Sequence, residues 1–380
     1  MIYLDNSATS FPKPPQVIAA VNEYMTKVGI NINRGTYSLS YLAEDLVYET
    51  RELLADFFNY ENPDNVIFTR SVTESLNTLL FGLLKDGDHV VVSSLEHNAV
   101  MRPLNALKSR GISFDRAACD NDGNLDLADF IIKIQKNTRA VVMTHASNVC
   151  GTVLDLAAVG AICRANNIFF IVDTAQSAGS IPIDMKSLQA DALAFTAHKG
   201  LLAPQGLGGF IVNDRLNAEL KPFIYGGTGS ISHLEEQPEF MPDKFESGTM
   251  NLPAIYGLNA ALKYIKTTSL QQIYAHENKL TGLLLDGLQE INGISVIGRH
   301  DLLWRTACVS LTVSGKDMGE VAHDIGNSAG IMVRCGIHCS PSAHKALGTY
   351  PDGTIRISIG SFNNKQDIKA CLDYFNALMK

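Results

Sequence analysis

No two cysteines of this sequence stand at the Cys-x-x-Cys spacing, although the chain contains seven: Cys119, Cys150, Cys163, Cys308, Cys335, Cys339 and Cys371. Odd in number and scattered along a long chain, they are not expected to form a disulfide framework. Cys335 and Cys339 have no second close pair to complete a zinc or iron–sulfur ligand set, so no metal is expected. This leaves at least one thiol available for reactive chemistry. Charge is also sparse. Only 18% of residues are charged, too few for a disordered chain, and the net charge of −8 carries no basic stripe or aromatic platform for nucleic acid. Long apolar runs are missing. Val66-Ile67-Phe68 and Val90-Val91-Val92 are far too short to span a bilayer, so no membrane association is expected. The start, Met1-Ile2-Tyr3-Leu4-Asp5, has neither the basic residues nor the apolar core of a signal peptide, which makes the cytoplasm the expected compartment. Internal repeats and low-complexity tracts are lacking too.

What is present is ample core material: 46% of the 380 residues are hydrophobic. That length suits a large domain with a smaller companion. Between about residues 65 and 212, short apolar runs at Val66–Thr69, His89–Ser93, Arg139–Thr144, Ile168–Val172, Ala192–Phe195 and Gly208–Val212 alternate with amphipathic stretches such as Val100–Arg110 and Leu156–Asn166. The alternation predicts an α/β domain built on a mainly parallel sheet with helices on both faces. Ligands in such folds gather beyond the carboxyl ends of the strands. From about Leu252 the texture changes to two long helical patterns, Ala254–Lys266 and Leu270–Ile291. Shorter strands at Ile294–Ile297, Ala307–Val313 and Thr354–Ile359 follow, with helices from Asp317 and over Lys365–Met379. The expected division is a large domain over residues 14–253 and a small α+β domain over residues 254–380, rejoined by residues 1–13.

Two strand ends in the large domain carry a chemical pairing. Ile168–Val172 runs into Asp173-Thr174-Ala175-Gln176, and Ala192–Phe195 runs into Thr196-Ala197-His198-Lys199. A buried acid that keeps a pyridine nitrogen protonated, beside a lysine that forms a Schiff base, is what a pyridoxal 5'-phosphate enzyme requires. Thr69-Arg70-Ser71-Val72-Thr73-Glu74-Ser75 places small hydroxyl residues at a strand-to-helix turn. Such a turn suits a phosphate dianion, and the same pattern also reads as a helix-capping box. Arg356, in Thr354-Ile355-Arg356-Ile357-Ser358, has the planar fork that suits a carboxylate, and it also reads as a solvent-facing strand residue.

Taken in order from Tyr3-Leu4-Asp5-Asn6-Ser7-Ala8 to Arg356, these segments resemble the class V aminotransferase-fold enzymes of fold type I. Within them the chain resembles the cysteine desulfurases, nearly end to end. The deciding segment is Arg334-Cys335-Gly336-Ile337-His338-Cys339-Ser340-Pro341, similar to that family's Arg-x-Gly-x-His-Cys loop. The resemblance implies that Cys339 takes sulfur from L-cysteine as a persulfide, with alanine released. Arg334 and His338 would be cations able to favour its thiolate. The alternative for Cys339 is that of a small buried apolar residue.

The resemblance further implies that Lys199 holds the cofactor, Asp173 its ring nitrogen and Gln176 its phenolic oxygen. His97, in Glu96-His97-Asn98-Ala99, would stack on the ring and shuttle protons, and Asn148 would lie near the phenolic oxygen and the substrate carboxylate. Thr73 with the neighbouring Val72 backbone, Thr196 and His198 would serve the phosphate, and Thr249 would reach the phosphate of a second subunit. Arg356 would bind the substrate carboxylate, assisted by Arg334 and by Arg34 at the mouth of the site. A homodimer and a sulfur-acceptor protein are the implied partners. The short loop around Cys339 resembles the group II branch, in which the cysteine stays close to the site. Cys335 and the run Ser342-Ala343-His344-Lys345 depart from the common pattern and resemble a less characterised branch. Related readings are a selenocysteine lyase acting on L-selenocysteine, another class V aminotransferase or pyridoxal-phosphate lyase, and a non-catalytic sulfur-transfer scaffold.

Overall fold

The computed structural model describes residues 1–33, 35–231 and 233–380. The first short strand, β1 (Ile2–Tyr3), is followed by the strands of the large sheet. These are β2 (Val66–Thr69), β3 (His89–Ser93), β4 (Ser113–Ala117), β5 (Thr138–Thr144), β6 (Phe169–Asp173), β7 (Ala192–Thr196) and β8 (Gly208–Val212). They lie in the spatial order β2-β8-β7-β6-β5-β3-β4. β8 runs antiparallel to both its neighbours, β2 and β7, and the other pairings are parallel. The sheet is therefore mainly parallel with one reversed strand, and the carboxyl ends of β2, β3, β5, β6 and β7 share one edge.

Period-two alternation explains why both faces are apolar. Val91, Val141, Phe170, Leu193 and Ile211 point into one core, with Leu54, Val159 and Ile255 from covering helices. Val90, Val142, Ile171, Ala194 and Phe210 point into the other, against Leu76 and Leu79 of helix Val72–Leu83 and Leu104 of helix Asn98–Leu107. β4 was not among the strands expected from apolar runs. It is an edge strand whose Ser113 and Arg116 are exposed and whose Asp115 is half-buried, so it lacks the continuous apolar pattern of its neighbours.

The smaller unit is a four-stranded antiparallel sheet ordered β12-β13-β10-β9. It is built from β9 (Ile294–Ile297), β10 (Cys308–Val313), β12 (Arg334–Gly336) and β13 (Thr354–Ser358), while β11 (Ile331–Met332) pairs in parallel with β1. Its core joins Val309, Leu311 and Ile357 to Leu284, Ile325 and Phe375 from three helices. Helix Leu252–Thr268 gives Ile255, Leu258 and Leu262 to the large core, so the chain crosses between cores only after it. The N-terminal segment then links the two units. Leu4 N–H donates to Met332 O, Ser358 N–H donates to Leu4 O, and Ser10 N–H donates to His198 O at 3.0 Å, beside Lys199.

Candidate active site

The site is assembled at the shared carboxyl edge of the sheet. β6 ends in Asp173, 3% exposed, whose Oδ1 accepts a 2.9 Å bond from Ala175 N–H. Burial raises its pKa, and the nearby Lys199 charge opposes that shift. A buried carboxyl with an oxygen to spare suits a cationic partner such as a protonated ring nitrogen. Just past the end of β7, Lys199 is driven down to about 8 by burial. Asp173 acts against the shift and Arg356 adds to it. An amine in that range is neutral often enough to attack a carbonyl near pH 7.

The turn after β2 is shaped by capping. Ser71 Oγ accepts from Glu74 N–H, so the helix does begin with a cap. The cap leaves the N–H groups of Val72 and Thr73 without acceptors among the described residues, at the positive end of the helix dipole. β8 approaches this turn closely because Gly208 has no side chain. A Cβ there would lie 2.7 Å from the Ser71 carbonyl carbon and 2.8 Å from Val72 N. Buried Thr196 precedes His198, whose Nδ1 is buried and has no partner among the described residues. An open set of helix N–H groups, an orphaned imidazole nitrogen, a buried carboxyl and a lysine of lowered pKa fit pyridoxal phosphate in charge and donor type.

His97 caps the next helix, its Nδ1 accepting from Ala99 N–H at 3.0 Å. That bond requires the proton on Nε2 and fixes the ring plane. Burial, followed by the charges of Lys199 and Arg102, lowers its pKa to about 4, so the ring is neutral. Gln176 Nε2 donates to Ser7 O at 3.2 Å, which brings the N-terminal segment against the site. Gln176 and Lys199 line one cavity with Asn6, Ser7, Cys308 and Glu277.

The loop after β12 is held closely. Asn148 Nδ2 donates to His338 O at 2.7 Å, Ser340 Oγ donates to Asn148 Oδ1 at 2.7 Å, and Asn98 N–H donates to Cys339 O at 2.8 Å. Cys339 takes a left-handed backbone with φ 58° and exposes its side chain, so it is not a small buried apolar residue. His338, one of the two cations expected beside the thiol, does not serve as one. Burial pushes its pKa to about 3, and Arg356, His344 and Arg334 add to the shift, so His338 is neutral. Arg334 remains charged and grips Asp5 with bonds of 2.8 and 3.0 Å.

Arg356 is 3% exposed, which removes the solvent-facing reading. Its Nη1 donates to Asn148 O and its Nη2 to Asp5 Oδ1, both at 3.1 Å, while Nε has no acceptor among the described residues. Thr73 and Thr249 are both exposed. Thr249 lines a groove with Thr69, Arg70 and Glu74 on the outer side of the β2 turn. Arg34 lies outside the described residues. Sequence reasoning did not single out Asp5, Ser340 or Cys308. Asp5 stood within a quoted motif, but its partners are remote along the chain.

Fold and site together define a fold-type I pyridoxal-phosphate enzyme. A profile of the family described as aminotransferase class-V matches residues 2–371. A probable cysteine desulfurase of Pyrococcus abyssi is 35% identical over 391 aligned positions, covering 100% of this chain and 94% of that protein. Another, from Methanothermobacter thermautotrophicus, is 34% identical and covers 97% of this chain and 92% of its own length. The apo structure of a cysteine desulfurase from Thermococcus onnurineus NA1 superposes with a TM-score of 0.93 at 33% identity, covering 100% of this chain and 94% of that one. The chain belongs to the class V aminotransferase family and, within it, to the cysteine desulfurases.

Proposed function

We propose that the protein transfers sulfur from L-cysteine to Cys339, leaving a persulfide and releasing L-alanine. The observation that carries this reading is the tether of Cys339 O to Asn98 N–H, which holds an exposed thiol beside the helix that His97 caps. Family membership supports the same chemistry.

Lys199, Asp173, Gln176, His97, Thr196, His198 and the N–H groups of Val72 and Thr73 would hold pyridoxal phosphate. When bound, it supplies an electron sink that makes the substrate Cα–H acidic. Lys199 Nζ takes that proton and later returns one, a task suited to an amine that titrates at about 8. Asp173 keeps a negative charge in reach of the ring nitrogen. Arg356, preset by Asn148 O and Asp5, receives the substrate carboxylate. Asn148 holds the residues on both sides of Cys339 and so keeps the thiol at the site.

The transfer balances without another reactant. Cys339 Sγ bonds to the substrate sulfur, the substrate C–S bond breaks, its carbon keeps the electron pair, and a proton equivalent to that lost by the thiol completes alanine. The persulfide sulfur then passes to a thiol of an acceptor protein. Exposed Leu39, Tyr41, Leu42 and Tyr48 on helix Ser38–Phe57 support a homodimer, to which Thr249 would contribute across the interface.

The test is to mix the purified protein and its Cys339→Ala variant with L-cysteine, quantify alanine and locate added sulfur by mass spectrometry. Alanine together with a 32 Da increment on Cys339, expected from one added sulfur atom, supports the reading. Undiminished sulfur release by Cys339→Ala would remove that thiol from the reaction. L-selenocysteine as a parallel substrate separates the lyase alternative.

A further inference from the structure

Asp5 is 8% exposed, and its carboxylate takes four contacts from two guanidinium groups. Arg334 Nε reaches Oδ1 at 3.2 Å and Oδ2 at 3.0 Å, Arg334 Nη2 reaches Oδ2 at 2.8 Å, and Arg356 Nη2 reaches Oδ1 at 3.1 Å. The two arginines face one another directly across the β12–β13 ladder. Like charges in that relation repel, so the pairing depends on an acid between them. Asp5 cannot drift from the position, because it bridges to Ser358 and the flanking Leu4 is bonded to both Met332 and Ser358.

The charges count simply: two arginines and one aspartate leave one positive charge. One charge suits one substrate carboxylate. An amino acid with a second anionic group would find no second uncompensated positive charge in this cluster.

We propose that Asp5 is a positioning and specificity-determining residue. It clamps Arg334 to Arg356 and holds the carboxylate site to a single net charge, admitting amino acids with one carboxylate and rejecting those with a second anionic group. The inference rests on the reading of Arg356 as the carboxylate receiver.

The experiment titrates the pyridoxal-phosphate-loaded protein with L-alanine, which has one carboxylate, and with L-aspartate, which has two. Dissociation constants are read from the change in cofactor absorbance, so no turnover is needed. In the unmodified protein alanine binds at least tenfold more tightly than aspartate. In Asp5→Asn that ratio falls at least tenfold, and in Asp5→Glu it is largely restored. The double variant Asp5→Asn/Arg334→Gln has a single net positive charge again and no unpaired neighbour for Arg356. It regains most of the discrimination, and it also covers the case in which Asp5→Asn alone does not fold. A ratio unchanged in folded Asp5→Asn, or not regained in the double variant, overturns the proposal. Arg356→Lys separates the two readings. If it leaves alanine binding intact, the carboxylate site itself is misplaced. If it weakens alanine binding tenfold while the Asp5 variants leave the ratio alone, only the role of Asp5 fails.

Discussion

The backbone N–H of Asn98 donates a 2.8 Å hydrogen bond to the carbonyl oxygen of Cys339, joining the helix that follows β3 to the loop that follows β12. Asn98 is the first residue of the helix that His97 caps. The ring expected to stack on the cofactor and the thiol expected to take sulfur therefore share one anchor. Asn148 secures the same loop from the other side through His338 O and Ser340 Oγ. Three hydrogen bonds therefore fall on three successive residues of this loop.

That anchor can be removed alone. Proline is favoured at the first helical position, where its missing N–H costs the helix nothing, and His97 already has the extended backbone (ψ 156°) that a following proline prefers. Asn98→Pro is expected to lower stability by only about 1 kcal/mol, the net worth of one hydrogen bond. Persulfide formation on Cys339 should slow by about tenfold or more, because a displacement of roughly 1 Å costs a reacting group that much. Cofactor absorbance should not change. Rapid-quench measurement of the persulfide checks the first effect and urea unfolding the second. An unaltered rate would show that the loop is held well enough by Asn148.

His97 performs two tasks that substitution can divide. His97→Asn keeps a good N-cap for Ala99 N–H but removes the ring, whereas His97→Ala removes both. The Asn variant is expected to match the parent in thermal midpoint yet to release pyridoxal phosphate faster on dialysis. The Ala variant should lose in addition about 0.5–2 kcal/mol. Equal cofactor retention in parent and Asn variant would leave the ring with no part in binding.

At Gly208, the close approach of β8 to the β2 turn leaves no room for a methyl group, since Phe195 O would lie 2.8 Å from it as well. These neighbours are backbone atoms and cannot rotate aside. Gly208→Ala should cost about 1–3 kcal/mol by overpacking and displace the Val72 and Thr73 N–H groups. Affinity for pyridoxal phosphate should then fall more than affinity for pyridoxal, which has no phosphate. A parallel loss for both compounds would place the phosphate elsewhere.

The buried strands were legible because each one reads as a short apolar run at the spacing of a crossover fold. The acid and the lysine were legible because they end neighbouring runs of that kind. β4 was not, since an exposed edge strand with Asp115 and Arg116 loses the apolar pattern that betrays a central one. The role of Asp5 was hidden for another reason. Its partners lie 329 and 351 residues away, and no local pattern reports such a contact. A histidine next to a cysteine in a motif suggests a cation, and His338 is not one. Its protonation depends on burial, which the fold supplies and the motif does not.

The lowered pKa of Lys199 makes a last prediction with a definite sign. The amine titrates at about 8 in the folded protein against 10.5 for an ordinary lysine. Below pH 8 it is charged in both states, and the folded state bears the full cost of burying that charge. Between about 8 and 10.5 the unfolded chain binds more protons than the folded one, so the stability of the cofactor-free protein rises with pH across that window. Lys199→Met removes the cost. It should stabilise the cofactor-free protein by about 1–3 kcal/mol at pH 7, with the gain shrinking towards zero by roughly pH 10.5. Urea unfolding of parent and variant at pH 7 and pH 10 measures the difference, and titrating groups remote from Lys199 cancel between the two proteins, while Asp173, His97 and His198, which feel its charge, shift with it. The variant should also fail to retain pyridoxal phosphate through borohydride reduction. A constant stability difference at both pH values would mean that Lys199 is not desolvated, and its suitability as a nucleophile near neutral pH would then need another cause.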